Sequence, residues 1–285
     1  MLTSMDGSEL RAGPAPPTLD ALVLAGQRPG GDPLARSLGE RHKALIRLNG
    51  VPMLVRVVEA LLGSASVGGR IAVSVEDPKA LQDEPALRTL LRSTRVELEP
   101  SDRSPSLSVV RHLEASPSRD PLLVTTADHP LLVAPMIDHF TREALATDAD
   151  LAVGTVAGDL LRERYPSSRR TLIRLGAAGV CGANLFLLRT PRAPRVARFW
   201  AGAERFRKRP WRLVRRFGAW PLLLFALGRL DLDSALERAS RALGATIRAV
   251  PMPWPECAID VDRREDLVLA SSIVAARTAS PHPTR

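Results

Sequence analysis

Three aspartates follow apolar segments of strand length and are candidate metal ligands. Asp128 comes directly after the apolar segment 121–126, and Asp260 and Asp262 lie two residues apart on the segment 258–262. Residues two apart on an extended segment point the same way, so one of the pair could share a Mg²⁺ ion with Asp128. Mg²⁺ prefers few carboxylates together with phosphate and water. The alternative is that Asp128 and Asp262 cap the helices that follow them. His129 is expected to be structural.

A long irregular loop, residues 24–45, follows the first apolar segment and combines glycines with basic side chains. Its members are Gly26, Gly30, Gly31, Gly39, Arg28, Arg36, Arg41 and Lys43. Glycines permit close backbone approach to a ligand, and the N–H groups of such loops bind phosphates. The spacing matches neither the dinucleotide-binding pattern nor the P-loop pattern. The loop is a candidate phosphate-binding loop of another kind, and the alternative is an ordinary surface loop.

Apolar segments of strand length alternate with helical patterns over the first half of the chain. Strands are predicted at residues 19–25, 70–75, 95–98, 121–126 and 150–156, and helices at 52–62, 79–92, 106–115 and 135–146. This alternation predicts an α/β fold, a Rossmann-like, mostly parallel sheet with helices on both faces. Ligands of such sheets bind at the carboxyl ends of the strands, which is where Asp128 and the loop 24–45 begin.

The second half of the chain changes character. Strands are predicted at residues 171–175, 184–188, 245–250 and 257–261, a helical insertion at 192–243 and a closing helix at 263–276. We therefore predict one α/β domain formed by residues 18–191 and 244–277, interrupted by the insertion. The polar ends, 1–17 and 278–285, are predicted to be disordered tails.

Several classes of protein are excluded by composition. Two cysteines, Cys181 and Cys257, form neither a disulfide scaffold nor a four-cysteine zinc site. Five histidines without H-x-x-x-H spacing argue against a histidine metal centre. The N-terminus has no apolar core of a secretory signal, and the longest strongly apolar run, 219–227, is far shorter than a membrane span. A cytoplasmic location is expected.

The net charge of +9 is concentrated in one short segment. Residues 192–216 contain ten basic residues and one acidic residue, so the rest of the chain is neutral. Apolar residues recur there at helical spacing, and tryptophans and a further apolar run follow. One interpretation is that the segment packs its apolar stripe on the domain, with its arginines in solvent or bound to an anionic substrate. The other is that residues 192–227 contact an anionic membrane from the inner face. Nucleic acid is disfavoured because charge is the only argument for it.

Taken together, the motifs resemble the MobA-like nucleotidyltransferases, which have a glycosyltransferase-A-type fold. The motifs occur in order as L-A-G, a loop ending in Lys43, T-x-A-D-x-P-L-L around Asp128, and D-x-D-x-x-x-D-L from Asp260. The resemblance covers about residues 19–190 and 245–276. It implies a nucleotide-binding set made of Leu24, Ala25, Gly26, Gln27, Arg36, Lys43, Ser104, Ser106 and Ser108. It implies Asp128 and Asp260 as metal ligands.

The resemblance also implies a reaction. It is the Mg²⁺-dependent transfer of a nucleoside monophosphate from an NTP to a phosphorylated small molecule, a sugar or polyol phosphate or a cofactor precursor, with release of pyrophosphate. Lys43, Arg36 and Asp128 would be catalytic. Gln27 stands where relatives have a second glycine, which leaves the base open. The alternative function is a catalytically impaired nucleotide-binding or membrane-surface-binding protein of the same fold.

Overall fold

The computed structural model describes residues 18–27, 30–82, 84–115, 121–170, 172–173, 179–204 and 231–279. The strands in these residues are β1 Asp20–Leu24, β2 Arg47–Leu48, β3 Val51–Pro52, β4 Ile71–Val75, β5 Val96–Pro100, β6 Leu122–Thr126, β7 Leu151–Ala157, β8 Val180–Leu188 and β9 Ile247–Pro251. The helices are α1 Pro33–Ser37, α2 Met53–Leu62, α3 Pro78–Gln82, α4 Pro85–Leu90, α5 Pro105–Ala115, α6 Ala134–Ala146, α7 Gly158–Arg164, α8 Pro194–Glu204, α9 Leu232–Leu243 and α10 Arg264–Ala279. Short 3₁₀ segments span Lys43–Leu45 and Pro255–Ala258.

Seven of these strands form one sheet in the order β5-β4-β1-β6-β8-β7-β9. Neighbouring strands are parallel except at β8, which runs antiparallel to both β6 and β7. Leu24, the last residue of β1, pairs with Ser74 of β4 on one side and Thr126 of β6 on the other. The central strands therefore end together at one edge of a mostly parallel sheet, as the sequence predicts.

The core lies on both faces of the sheet because side chains alternate along each strand. In β1, Ala21 and Val23 join an apolar cluster that includes residues of α2, α6 and α10. Leu22 joins a second cluster with residues of α5, α8 and α9. Burial on both faces is the physical reason for the nearly continuous apolar runs of β1, β4 and β6. The predicted fold class, with helices on both faces, is confirmed.

The strand β8 is irregular near this edge. Val153 of β7 pairs with Phe186, whereas Thr155 pairs with Gly182, so the register shifts around Asn184. Asn184 has a φ angle of 50°, a left-handed conformation in which Asn is enriched. Bulges of this kind re-aim a side chain, and Asn184 is directed at the candidate site.

Two predicted elements need correction. The helix predicted at 79–92 is divided into α3 and α4, and Pro85 suits the first position of the second helix because it lacks an N–H group. The strand predicted at 257–261 is wrong, because Pro255–Ala258 forms a 3₁₀ segment. The Val261 amide then donates to the carbonyl of Asp128 at 2.9 Å. This docks the segment on the loop after β6 rather than in the sheet.

Other predictions fall partly outside the described residues. The insertion is described at its ends, as α8 and α9, and residues 205–230 lie outside. Of the strand predicted at 171–175, Ile173 forms an isolated bridge with Val180, and residues 171 and 174–175 lie outside. Thr278 and Ala279 end α10, whereas residues 1–17 and 280–285 lie outside. The domain division stays a prediction. No helix in the described ranges is long and apolar enough to cross a membrane.

Asp150 connects three strands on one side of the sheet. It is 6% exposed and accepts a hydrogen bond from the Thr246 amide, before β9, at 2.7 Å. It also accepts one from the Thr190 hydroxyl, just after β8. The backbone amide of Asp150 donates to the Thr246 carbonyl at 2.8 Å. The start of β7 is thereby tied to the end of β8 and the entry of β9.

We expect Asp150→Ala to lower the free energy of unfolding by about 1–2 kcal/mol, because it leaves a partly buried amide and hydroxyl without their acceptor. Urea unfolding followed by circular dichroism measures the change. Asp148→Ala is the matched control, since Asp148 meets Arg248 on the surface with 67% of its side chain exposed, and its loss should be much smaller. Equal losses would contradict the role assigned to Asp150.

His129 follows Asp128 and is fully buried. Burial lowers the pKa of His129 to about 4, although the negative charge of Asp128 acts in the opposite direction. The ring is therefore neutral near neutral pH. This supports the structural role expected for His129.

We expect His129 to make the protein less stable in mild acid. The ring takes up a proton near pH 6.5 in the unfolded chain but only near pH 4 in the folded protein. The stability is therefore lost progressively as the pH falls from 6.5 to 4, by about 2 kcal/mol at pH 5. Urea unfolding of the protein and of His129→Leu at several pH values measures this. The variant should lose less stability over that interval, and parallel curves would contradict the prediction.

Candidate active site

The candidate site lies at the edge of the sheet where β1, β4, β5 and β6 end. Leu24 and Thr126 are register partners, and the Ala127 amide donates to the Leu24 carbonyl at 3.0 Å. The loop after β1 and the Asp128 segment after β6 therefore leave the sheet side by side. Because Val261 is bonded to the Asp128 carbonyl, the distant segment 260–262 is held at the same place.

The centre of the site is the ammonium group of Lys43, which lies between two carboxylates. Its Nζ is 2.6 Å from Oδ2 of Asp128 and 2.6 Å from Oδ1 of Asp262. The exposed fractions of the side chains are 17% for Lys43, 24% for Asp128 and 52% for Asp262. These are charge-assisted hydrogen bonds, with Lys43 and Asp128 largely covered and Asp262 open to solvent.

The opposite charges of Lys43 and Asp128 stabilise each other's ionised form. Burial alone would lower the pKa of Lys43, but Asp128 and Asp262 outweigh it and raise the pKa above its ordinary value. Burial alone would raise the pKa of Asp128, but the Lys43 ammonium outweighs it and holds the pKa below its ordinary value. Lys43 and Asp128 are therefore an ion pair at neutral pH.

Asp260 faces different partners from Asp262. It is 9% exposed, forms an ion pair with Arg170 and accepts a hydrogen bond from Nδ2 of Asn184 at 3.2 Å. Arg170 also lies 3.6 Å from Oδ2 of Asp262. Asp260 and Asp262 thus face the same guanidinium, as residues two apart on an extended segment should, although the segment is not a strand.

The role of Asp262 is the main difference from the sequence interpretation. Asp262 was expected to cap the following helix, yet its carboxylate contacts Lys43 and Arg170. Asp266 accepts from the amides of Asp262 and Arg263 instead, at 3.2 and 2.9 Å. The structure therefore brings Asp262, rather than Asp260, beside Asp128. Sequence reasoning also missed Arg170 and Asn184, because neither belongs to a local pattern. The only signal in the sequence for this part of the site is the two-residue spacing of Asp260 and Asp262.

The loop after β1 is fastened to the segment that carries Lys43. The Gln27 amide donates to Glu76, and the Gln27 side chain accepts from the Lys43 amide at 3.4 Å. His42 contacts the other oxygen of Glu76 at 3.1 Å through Nε2, while its Nδ1 accepts from the Ala44 amide. Gln27 thus holds the shape of the loop.

Gly26 packs closely against the residue that follows β5. A Cβ atom there would lie 3.3 Å from the hydroxyl oxygen of Ser101, which follows β5. Leu24 ends β1, and Ala25 continues the ladder through its amide to the Ser74 carbonyl at 2.9 Å. These residues place the loop backbone at the mouth of the site.

Arg36 and the three serines are not brought to Lys43. Arg36 is exposed, and its guanidinium donates to the Gly30 carbonyl at 3.1 Å. Ser104 accepts from the Leu107 amide at 3.4 Å, at the start of α5. Ser106 and Ser108 are buried, and Ser108 accepts from the Asp102 amide at 2.9 Å. Their contacts shape the turn between β5 and α5, and their binding of a nucleotide stays a prediction.

The carboxylates fit a magnesium ion that is completed by its substrate. No group of three or more His, Cys, Asp or Glu side chains able to hold a metal occurs in the described part of the chain. Mg²⁺ is commonly bound by one or two carboxylates together with phosphate oxygens and water. Asp128 and Asp262 each direct an oxygen at one point, the Lys43 nitrogen, and supply such a pair.

Comparisons with solved structures agree with the fold. A hypothetical transferase from Thermus thermophilus is 30% identical, with a TM-score of 0.69, over 88% of this chain and 99% of that chain. CMP:2-keto-3-deoxy-manno-octonic acid synthetase complexed with CTP is 15% identical, with a TM-score of 0.56, over 91% of this chain and 100% of that one. A 4-diphosphocytidyl-2C-methyl-D-erythritol synthase from Anaerococcus prevotii is 9% identical, with a TM-score of 0.57, over 91% and 99%. The last two likenesses show the fold alone.

A family model settles the relationship. No curated protein matches the chain significantly. The model of the MobA-like NTP transferase domain matches residues 21–246, which include the loop after β1, Lys43, Asp128 and Arg170. The chain belongs to the MobA-like NTP transferase family and is a nucleotidyltransferase.

Proposed function

We propose that this enzyme transfers a nucleoside monophosphate from an NTP to a phosphorylated small molecule and releases pyrophosphate, with Mg²⁺. The observation that carries the proposal is the Lys43 ammonium between Asp128 and Asp262 at the mouth of the loop after β1. Such a site offers one cation for phosphate oxygens and two hard ligands for a metal.

The reaction needs charge neutralisation more than a general base. An oxygen of the acceptor phosphate attacks the α-phosphorus, the bond from that phosphorus to the bridging oxygen breaks, and pyrophosphate leaves with the electron pair. A phosphate monoester is largely dianionic near pH 7, so no proton has to be removed. His42 and His129 are poor bases here, since His42 has partners at both ring nitrogens and His129 is buried.

Each charged group has a separate role in this scheme. Lys43 neutralises the triphosphate, and the loop amides position it. Asp128 and Asp262 would hold Mg²⁺, which neutralises charge on the phosphate oxygens when bound. Asp260 is already engaged by Arg170 and Asn184, so its contacts favour a positioning role over direct metal binding. Arg36, on the outer part of the loop, would approach the distal phosphates.

The contacts argue against a catalytically impaired binding protein. The Lys43–Asp128 pair is intact at 2.6 Å, although Gln27 replaces a glycine nearby. The base and the acceptor have to be found by experiment. CTP is the first nucleotide to test because a structural neighbour was solved with CTP, and sugar phosphates and polyol phosphates are the first acceptors.

We expect Asp128→Asn to reduce pyrophosphate release by at least about 100-fold, because a ligand and the partner of Lys43 are lost together. A screen of four NTPs against phosphorylated acceptors defines the activity. Asp148→Asn, on the surface, is the control and should retain it. Full turnover by Asp128→Asn would refute the mechanism. Stabilisation by an NTP without pyrophosphate release from any acceptor would favour the binding protein.

A membrane contact is a second proposal and rests on α8. Val196 and Ala201 of this helix are buried, whereas Trp200 is 61% exposed. Arg195 donates to the Gly244 carbonyl and Arg198 pairs with Glu114 at 3.3 Å, so one side of the helix packs on the domain. The outward Trp200 and the basic residues that follow favour peripheral contact of residues 192–227 with an anionic bilayer. Residues 205–227 lie outside the described residues.

We expect the triple substitution of Arg205, Arg207 and Arg209 by Gln to weaken binding to anionic vesicles by at least about tenfold, since each basic residue near such a surface contributes about 1 kcal/mol. Vesicle sedimentation measures this, with neutral vesicles for comparison. A matched triple substitution of the exposed residues Arg92, Arg142 and Arg263 removes the same charge elsewhere. If the two triple variants weaken vesicle binding equally, the membrane proposal is wrong.

A further inference from the structure

The Lys43 ammonium lies between the two carboxylates that the proposed function assigns to a divalent cation. Its nitrogen is 2.6 Å from an oxygen of Asp128 and 2.6 Å from an oxygen of Asp262. Only 17% of the Lys43 side chain is exposed, so water could solvate the ammonium only poorly if it left the two carboxylates. A metal ion shared by the same two oxygens would lie against the ammonium and repel it.

The remaining charges of the cluster are also paired within the protein, to a net charge of −1. Arg170 pairs with Asp260 and lies 3.6 Å from Asp262, with 20% of its side chain exposed. Three carboxylates thus face two cations. Little negative charge is left to attract a free Mg²⁺ ion, which also gives up its water reluctantly.

A triphosphate changes this balance because it provides a new anionic partner for the ammonium. The backbone around Lys43 is held by the Gln27 side chain at the Lys43 amide and by the Ile46 amide at the Lys43 carbonyl. The side chain can therefore move from the carboxylates to phosphate oxygens while the backbone stays in place.

We propose that Lys43 occupies the metal position in the ligand-free enzyme, so that a divalent cation binds to Asp128 and Asp262 only together with a triphosphate. The substrate is then a preformed metal–triphosphate complex rather than a free nucleotide bound by a metal-loaded enzyme. This inference rests on the proposed nucleotidyl transfer. It adds that the nucleotide binds to the enzyme as a complex with the metal.

The chain permits a direct observation because Lys43, Lys79 and Lys208 are its only lysines. Protein labelled with ¹⁵N-lysine gives side-chain ammonium signals, and Lys43→Met identifies the signal of Lys43. We expect millimolar MgCl₂ alone to leave this signal in place and MgCl₂ with tripolyphosphate to shift it. A shift that saturates with MgCl₂ alone, or no shift with the complex, overturns the proposal.

A second measurement follows Mn²⁺ binding to the free protein by electron paramagnetic resonance. We expect Lys43→Met to bind Mn²⁺ at least about tenfold more tightly than the unchanged protein, because the competing charge is gone. Lys79→Met, at an exposed position, is the matched control and should bind as the unchanged protein does. The additional substitution Asp262→Asn should abolish the gain.

The outcomes separate this inference from the proposed function. Folded Lys43→Met that binds Mn²⁺ no better than the unchanged protein overturns the inference, even when the unchanged protein releases pyrophosphate as the proposed function expects. Both measurements omit acceptor and turnover, so a failure to find transferase activity leaves their results standing. If Lys43→Met does not fold, Lys79→Met and Lys208→Met identify the other two lysine signals, and the remaining signal of the unchanged protein, that of Lys43, still decides the question.

Discussion

Half-buried charges must be balanced inside the protein, and this constraint governs the end of the sheet. Lys43 is 85 residues from Asp128 and 219 residues from Asp262 along the chain. Burial disfavours the charges of Lys43 and Asp128 taken alone, so each is stabilised by the other, and the more exposed Asp262 adds a second partner for the ammonium. The loop after β1, the turn after β6 and the segment before α10 have to meet for this reason.

The sheet makes that meeting possible. The register of β1 with β6 places Leu24 beside Thr126, and the bond from Val261 to Asp128 brings the third segment to the same edge. The bulge at Asn184 and the guanidinium of Arg170 then hold Asp260. A rigid frame that holds charged side chains in fixed positions suits nucleotidyl transfer, where the transition state is stabilised by placed charges rather than by covalent groups.

Local patterns were sufficient for much of this architecture. Apolar runs buried on both faces predicted β1, β4 and β6 close to their observed bounds, and helical spacing predicted α2 and α6. The segment 257–261 was predicted as a short strand from its mostly apolar residues. Their burial comes instead from docking on the Asp128 turn, a contact between distant residues that a local pattern does not reveal. Asp262 was misinterpreted for a related reason. Its position before a helix suggested a cap, and only its partners, which come from two other parts of the chain, show otherwise.

The sequence by itself determined the mostly parallel α/β fold and singled out the loop after β1, Lys43 and Asp128 as candidates, and the structure brings Lys43 and Asp128 into contact. These predictions follow from local periodicity and from motifs within short stretches, where neighbouring residues carry the information. Only the tertiary structure decided which aspartate accompanies Asp128, that Arg170 and Asn184 support Asp260, and that Gln27 holds the loop rather than standing free. Those contacts join residues that are far apart in the chain, and they are selected by the need to balance buried charge once the sheet has formed.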